Sequence, residues 1–178
     1  MRLAGPFVTM TIALVTGCAS SRPAPAPTLT APQVPASLSA PAGQSVYLEA
    51  LAHGVQIYEC AQKPEGTYDW AFKAPEAALT APSGESIGKH YAGPTWESTD
   101  GSTVVGVVKA RDPGPDPTAI PWLLLAAKAT SGSGNFSSTQ SIQRVATVGG
   151  QPPSSPCTAA NLGQVVRIPY SATYYFYR

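Results

Sequence analysis

The sequence is poor in charged residues and has no cluster of basic ones. Lysine and arginine total 11, aspartate and glutamate total 10, and together they make up 12% of the 178 residues. A nucleic-acid partner requires a basic surface that neutralises phosphates, and a polybasic membrane anchor requires a similar surface. The composition therefore excludes nucleic acid as a partner and provides no electrostatic attachment to a membrane.

The sequence also lacks the motifs of common cofactor and metal sites. No G-x-G-x-x-G follows a strand, and there is no P-loop, EF-hand loop, C-x-x-C, H-x-H or H-E-x-x-H. We therefore predict no nucleotide cofactor, no other cofactor and no metal. His53 and His90 are the only two histidines. With a carboxylate they would suit zinc or copper, but a structural or surface role is the simpler interpretation.

No apolar run reaches the roughly 20 residues of a membrane-spanning helix. Residues 3–17 are mostly apolar and follow Arg2, as in a signal peptide. This run ends in the sequence V-T-G-C at Cys18, which fits a bacterial lipobox. We predict a lipoprotein signal peptide over residues 1–17. We also predict that Cys18 is lipidated, with diacylglycerol and palmitate as the attached lipids. The alternative is an ordinary secretory signal that ends beside a cysteine.

This interpretation places the protein in the bacterial cell envelope. Ala19 rather than aspartate follows Cys18, which favours the outer membrane. Loss of Arg2 with the signal peptide would leave 10 basic and 10 acidic residues, so lipid rather than charge would hold the chain to the membrane. Residues 18–42 are rich in proline and alanine and have no apolar periodicity, so we predict the lipidated cysteine and an extended tether there.

Cys60 and Cys157 remain once Cys18 carries lipid, and they form an even pair in an oxidising compartment. We predict a disulfide between them. It would close a loop of about 97 residues and stabilise the fold by roughly 4–5 kcal/mol. A shared metal ion is the alternative, but the C-x-x-C spacing that favours it is missing.

Residues 43–178 have the pattern of a single β domain. Short runs of β-forming residues alternate with turns rich in glycine and proline, and only residues 74–81, A-P-E-A-A-L-T-A, suggest a turn of helix. We predict an all-β fold, an antiparallel β-sandwich or flattened barrel with long Gly/Pro-rich loops and one disulfide. The aromatic C-terminal sequence T-Y-Y-F-Y-R would aggregate as a free edge, so we expect it inside the sheet.

Five motifs carry a resemblance to a known family. In chain order they are GVQIYEC, GKHYAGPTWESTDGS, IPWLLL, IQRVATVGGQPPSSPC and IPYSATYYFY. Together they resemble the secreted bacterial and fungal family known as domain of unknown function 3455, over about residues 34–177. The resemblance implies that Cys60 and Cys157 are family positions, in keeping with a bridge. It implies no activity and no catalytic residue.

Residues 88–101 hold the densest set of chemically active side chains. His90 would serve as a general base, and Glu97 would orient it or act as an acid. The structural alternative is a strand that ends near His90, a turn, a core Trp96 and a hairpin turn at Asp100-Gly101.

Aromatic residues provide a second candidate site. Trp96, Tyr91 and Trp70 would form a platform on which the apolar faces of sugar rings stack, whereas Trp122 is expected in the core. Arg144 lies in an apolar strand. We expect it either to pair with a buried carboxylate such as that of Glu59 or Glu97 or, in a cleft, to clamp an anion.

These features favour a non-enzymatic binding module for an extracellular or cell-wall ligand, carbohydrate included. Two alternatives stay open. A hydrolase would require His90 and Glu97 to converge on one concave pocket. A structural envelope spacer would have no pocket and no exposed tryptophan.

Overall fold

The structure, a computed structural model, describes residue 1 and residues 29–178. The predicted lipidation site Cys18, residues 2–17 of the predicted signal peptide and the first part of the predicted tether lie outside the described residues. Within residues 29–178 no helix is long and apolar enough to cross a membrane. The described chain contains β1 (Val46–Gln62), β2 (Tyr68–Thr80), β3 (Ser86–Tyr91), β4 (Thr95–Ser98), β5 (Thr103–Asp112), β6 (Trp122–Ser131), β7 (Ser141–Gly149), β8 (Val165–Tyr177) and the short 3-10 helices Ala36–Leu38 and Ala159–Asn161.

The eight strands form one closed antiparallel barrel in sequence order. Each strand pairs with the next, and β8 also pairs with β1 from Val46 opposite Tyr177 to Glu59 opposite Val165. The predicted all-β fold is confirmed, and its form is a barrel rather than a sandwich. The aromatic C-terminal sequence lies inside the sheet as predicted, because β8 has a partner on both sides.

The turn of helix predicted over residues 74–81 is wrong. Residues 74–80 belong to β2, where Ala77 and Leu79 are buried while Glu76 and Ala78 are exposed. This alternation is the pattern of a strand with one face in the core. Pairing of β2 with β1 and β3 therefore overrides the weak helical preference of the alanines.

The two ends of the barrel are filled differently. At the end where β1 begins and β8 ends, which we call the terminal end of the barrel, Phe136 from the β6–β7 connection packs on Phe176, which in turn contacts Trp96, with ring centroids 4.7 Å and 6.1 Å apart. At the other end the β1–β2, β3–β4, β5–β6 and β7–β8 connections surround a less densely filled interior. The predicted disulfide between Cys60 and Cys157 is confirmed, and it ties the β7–β8 connection to β1 at this end.

The 3-10 helix Ala36–Leu38 packs on the outside of the barrel against β5 and β6. The Leu38 side chain is fully buried there, and its carbonyl oxygen accepts a hydrogen bond of 2.6 Å from Gln143 Nε2. This helix falls in the segment predicted as a tether. The part of that segment nearest the barrel is therefore docked on it.

Replacing both bridging cysteines, by Cys60→Ser with Cys157→Ser, should destabilise the barrel. The bridge spans 97 positions, so its loss frees a long loop of the unfolded chain and should lower the free energy of unfolding by up to about 4–5 kcal/mol. Urea unfolding followed by tryptophan fluorescence measures the difference. A thiol reductant should cause a similar loss in the unmutated protein, and unfolding midpoints that do not change would contradict the expectation.

Candidate functional site

A cavity of about 540 Å³ occupies the interior of the barrel, away from the terminal end. Small-molecule sites commonly have roughly 300–1,000 Å³. Apolar residues make up about half of the wall, and residues with polar groups make up the rest. The polar and aromatic residues of the wall include Gln56, Tyr58, His90, Trp96, Arg144 and Tyr174.

The hairpin of β3 and β4 carries His90 and Trp96 into the barrel. The two residues lie opposite each other in the register, and their rings stack with centroids 4.3 Å apart and planes 13° apart. Gly106 on β5 leaves room for the indole, because a Cβ there would lie 3.0 Å from the Trp96 ring. The structural interpretation of residues 88–101 is confirmed, including the turn at Asp100-Gly101.

His90 is uncharged at neutral pH. Its Nδ1 lies 2.8 Å from the carbonyl oxygen of Thr95, and because a carbonyl only accepts, Nδ1 carries the proton and Nε2 is an acceptor. Burial lowers the pKa of His90 from 6.5 to about 3, the hydrogen bond to Thr95 opposes this change, and the positive charge of Arg144 adds to it.

Arg144 is a half-buried cation of the cavity wall. Its Nε and Nη2 donate to the carbonyl oxygen of Pro121 at 3.2 Å and 2.7 Å. The expected ion pair with Glu59 or Glu97 is wrong, since each of these carboxylates pairs with a lysine, at 3.0 Å and 3.2 Å. No ion pair of Arg144 occurs within residues 29–178, and residues 2–28 contain no aspartate or glutamate.

Three polar groups on residues of the cavity wall are buried and form no hydrogen bond of good geometry within residues 29–178. They are Gln56 Nε2, Trp96 Nε1 and the Tyr174 hydroxyl, on residues that are at most 2% exposed. Leaving one such group unpaired costs about 1–3 kcal/mol. Burial raises the pKa of Tyr174, so its hydroxyl keeps its proton. These three groups are covered by neighbouring side chains rather than open to the cavity.

The proposed catalytic pair, His90 and Glu97, does not converge on the cavity. Glu97 lies on the outer face of β4, where its carboxylate accepts a hydrogen bond of 2.8 Å from Tyr91 and pairs with Lys89. The two side chains point to opposite faces because Trp96, the partner of His90 in the register, is next to Glu97 in the strand. Tyr91 and Lys89 also lower the pKa of Glu97, which disfavours a role as an acid.

The three aromatic candidates are not brought together. Only Trp96 lines the cavity. Tyr91 is outside the barrel with Glu97, and the Trp70 indole donates at 2.9 Å to a backbone carbonyl of the β7–β8 connection. Trp122, expected in the core, is only half-buried.

The two histidines do not share a site. His53 is exposed, whereas His90 is inside the barrel. In the part of the chain that the structure describes, no three His, Cys, Asp or Glu side chains lie close enough together to hold a metal ion.

The family model described as protein of unknown function (DUF3455) matches residues 41–178. The chain belongs to this family. The match contains all eight strands and both bridging cysteines, in agreement with the resemblance seen in the five motifs. No curated protein and no solved structure matches the chain. The family description assigns no activity, so the geometry of the cavity is the basis for a functional proposal.

Sequence reasoning missed Gln56, Tyr58 and Tyr174 as residues of the site. Gln56 and Tyr58 are in phase with Cys60 along β1, at every second position. A half-cystine is ordinarily buried, so polar residues in phase with it are candidates for a polar interior. That signal was present in the sequence.

Lowering the pH should destabilise the protein through His90. In the unfolded chain His90 binds a proton near pH 6.5, whereas in the folded chain it binds a proton only near pH 3. Stability is therefore complete above pH 6.5 and falls as the pH drops toward 3. Between about pH 7 and about pH 5 the loss through His90 should be on the order of 2 kcal/mol.

Urea unfolding at the two pH values measures this loss, and His90→Gln should reduce it. His53→Gln, on the outer surface, is the matched control and should leave the pH dependence unchanged. Equal pH dependence in the unmutated protein and His90→Gln would show that His90 contributes nothing.

Proposed function

We propose that the protein is a non-enzymatic binding module that takes one small ligand into the lumen of its barrel. The cavity of about 540 Å³ inside the barrel is the observation that carries the proposal. An eight-stranded barrel is just wide enough to be filled by side chains or to hold one small ligand. In this barrel Phe136 and Phe176 fill the half in which β8 ends, and the cavity occupies the other half.

The aromatic wall supports binding through desolvation. Tyr58 and Phe72 meet edge to face, with ring centroids 5.7 Å apart, and the Phe72 residue is 53% exposed at the open side of the cavity. A ligand that covers such surface gains about 25 cal/mol per Å² of apolar area removed from water. An exposed phenylalanine at the entrance is therefore suited to contact a ligand.

The geometry gives less support to the two alternatives. A general acid and base must both reach the substrate, but His90 lies inside the barrel and Glu97 outside. Among residues 29–178 no aspartate or glutamate lines the cavity to replace Glu97. A structural spacer requires no cavity, so the cavity favours the binding module over the spacer.

Filling the lumen should block binding. Val108 lines the cavity, whereas its neighbour Val107 is 41% exposed. Two flat aromatic probes serve as test ligands: naphthoate, which carries a carboxylate, and naphthamide, its neutral amide. We expect Val108→Phe to weaken the binding of both probes at least roughly tenfold, since a tenfold loss needs only about 1.4 kcal/mol. Isothermal titration calorimetry measures both affinities, and Val107→Phe is the matched control with the same change outside the barrel.

Thermal unfolding gives a second measurement of the same prediction. A probe at about 100 times its Kd should stabilise the unmutated protein by about 2.7 kcal/mol, and circular dichroism checks that both variants keep the β fold. Failure of both probes to bind, or unchanged affinity in Val108→Phe, would contradict binding in the lumen.

We further propose that lipid on Cys18 attaches the protein to the membrane of a bacterial cell envelope. The ligand would then be an extracellular or cell-wall molecule. The support is the lipobox that ends at Cys18 and the proline-rich sequence that follows it.

In bacterial expression with labelled palmitate, Cys18→Ala should remove the label and move the protein to the soluble fraction. Ala19→Asp is the control, because it keeps the modified cysteine and should keep the label. Label retained by Cys18→Ala would contradict the lipid site.

A further inference from the structure

We infer that the ligand is a small carboxylic acid with a flat apolar body, whose carboxylate binds Arg144 inside the barrel. This inference rests on the proposed function, since it concerns the same cavity. It names the chemical class of the ligand, which follows from the charge and the donors of the wall.

The charge of the cavity wall has one sign. Lys73, Arg111 and Arg144 are among its lining residues, and none of the lining residues is an aspartate or glutamate. Lys73 is paired with Glu59 at 3.0 Å, whereas Arg111 and Arg144 form no ion pair within residues 29–178. His90, uncharged, neither adds to this charge nor cancels it. The interior therefore favours an anion.

The guanidinium of Arg144 is held in place and still has donors to spare. It has five N–H groups, and Nε and Nη2 each use one on the carbonyl oxygen of Pro121. Three N–H groups on Nη1 and Nη2 remain. Arginine binds a carboxylate through two parallel hydrogen bonds, and a guanidinium already fixed by a carbonyl loses little freedom in doing so.

Other polar side chains line the same cavity. Tyr174 is opposite Arg144 in the register of β7 and β8, and its hydroxyl lies near the side chains of Arg144 and Tyr170. Gln56 also lines the cavity. A buried carboxylate is costly unless it is paired and hydrogen-bonded. Arg144 provides the charge, and its unused N–H groups provide hydrogen bonds.

The remaining wall selects a flat apolar body. Trp96 is edge to face with Tyr174, with ring centroids 5.4 Å apart and planes 76° apart, so aromatic surfaces of two orientations meet in the interior. Leu123, Leu125 and Val108 complete the apolar wall. A planar hydrocarbon gains from contact with such surfaces.

A neutral sugar fits this wall less well. Its hydroxyl groups donate hydrogen bonds and need acceptors, which are most strongly supplied by carboxylates. The lining residues include no Asp or Glu, and their side-chain acceptors are neutral groups on glutamine, tyrosine and His90. Arg144, in contrast, has three N–H donors that the fold leaves unused. The wall is therefore suited to a ligand that accepts hydrogen bonds.

Naphthoate and naphthamide, which share size and shape, test the inference by calorimetry. The folded protein should bind naphthoate more tightly by roughly tenfold to a hundredfold, the range of a charge-assisted hydrogen bond. Arg144→Gln should bring the ratio of the two affinities to about one while naphthamide still binds, and Arg144→Lys should keep part of the preference. Arg167→Gln is the control, because Arg167 pairs with Glu76 outside the barrel at 2.8 Å.

The outcomes separate this inference from the proposed function. Equal affinity for the two probes, or a preference that persists in Arg144→Gln, would overturn the carboxylate assignment while binding in the lumen stands. Tighter binding of naphthyl phosphate or of a neutral sugar than of naphthoate would likewise overturn it. If neither naphthyl probe binds, both proposals fail. Because the ratio uses two probes on one folded variant, a loss of stability in Arg144→Gln does not produce the expected result.

Discussion

The lumen depends on the backbone pairing of β8 with β1. This ladder joins the first strand to the last strand, with Glu49 opposite Tyr175. It turns an open sheet into a closed barrel. Closure removes both free edges of the sheet and encloses an interior shielded from bulk water. Charge acts more strongly in such an interior than at a solvated surface, so Arg144 owes its influence on His90 to closure.

One half of the interior is packed with aromatic side chains, and the other half contains buried polar atoms that lower the stability of the fold. Phe136, Phe176 and Trp96 pack the terminal end. At the other end Gln56 and Tyr174 bury polar atoms that form no hydrogen bond of good geometry within residues 29–178, at a cost of up to about 1–3 kcal/mol each. Local rules of this kind are broken mainly at functional sites. The disulfide stabilises the fold at the same end by holding the β7–β8 connection against β1.

The division between inside and outside also explains why the densest run of reactive residues is not one site. Along β3 and β4, His90 and Trp96 enter the barrel while Tyr91 and Glu97 remain outside. A one-residue step along a strand reverses the face on which a side chain lies. The proposed catalytic pair is therefore separated although its two residues are close in the sequence. Arg144 and Tyr174, in contrast, are 30 positions apart and lie opposite each other.

The sequence by itself determined the features that rest on local pattern or on counting. Runs of β-forming residues between turns predicted the all-β fold, and two cysteines left for pairing predicted the bridge between Cys60 and Cys157. Only the tertiary structure decided that residues 74–80 are a strand, that Arg144 binds a carbonyl rather than a carboxylate, and that a cavity exists. These features depend on which distant strands pair, in which register, and on closure of the barrel, because long-range pairing sets which side chains share the interior.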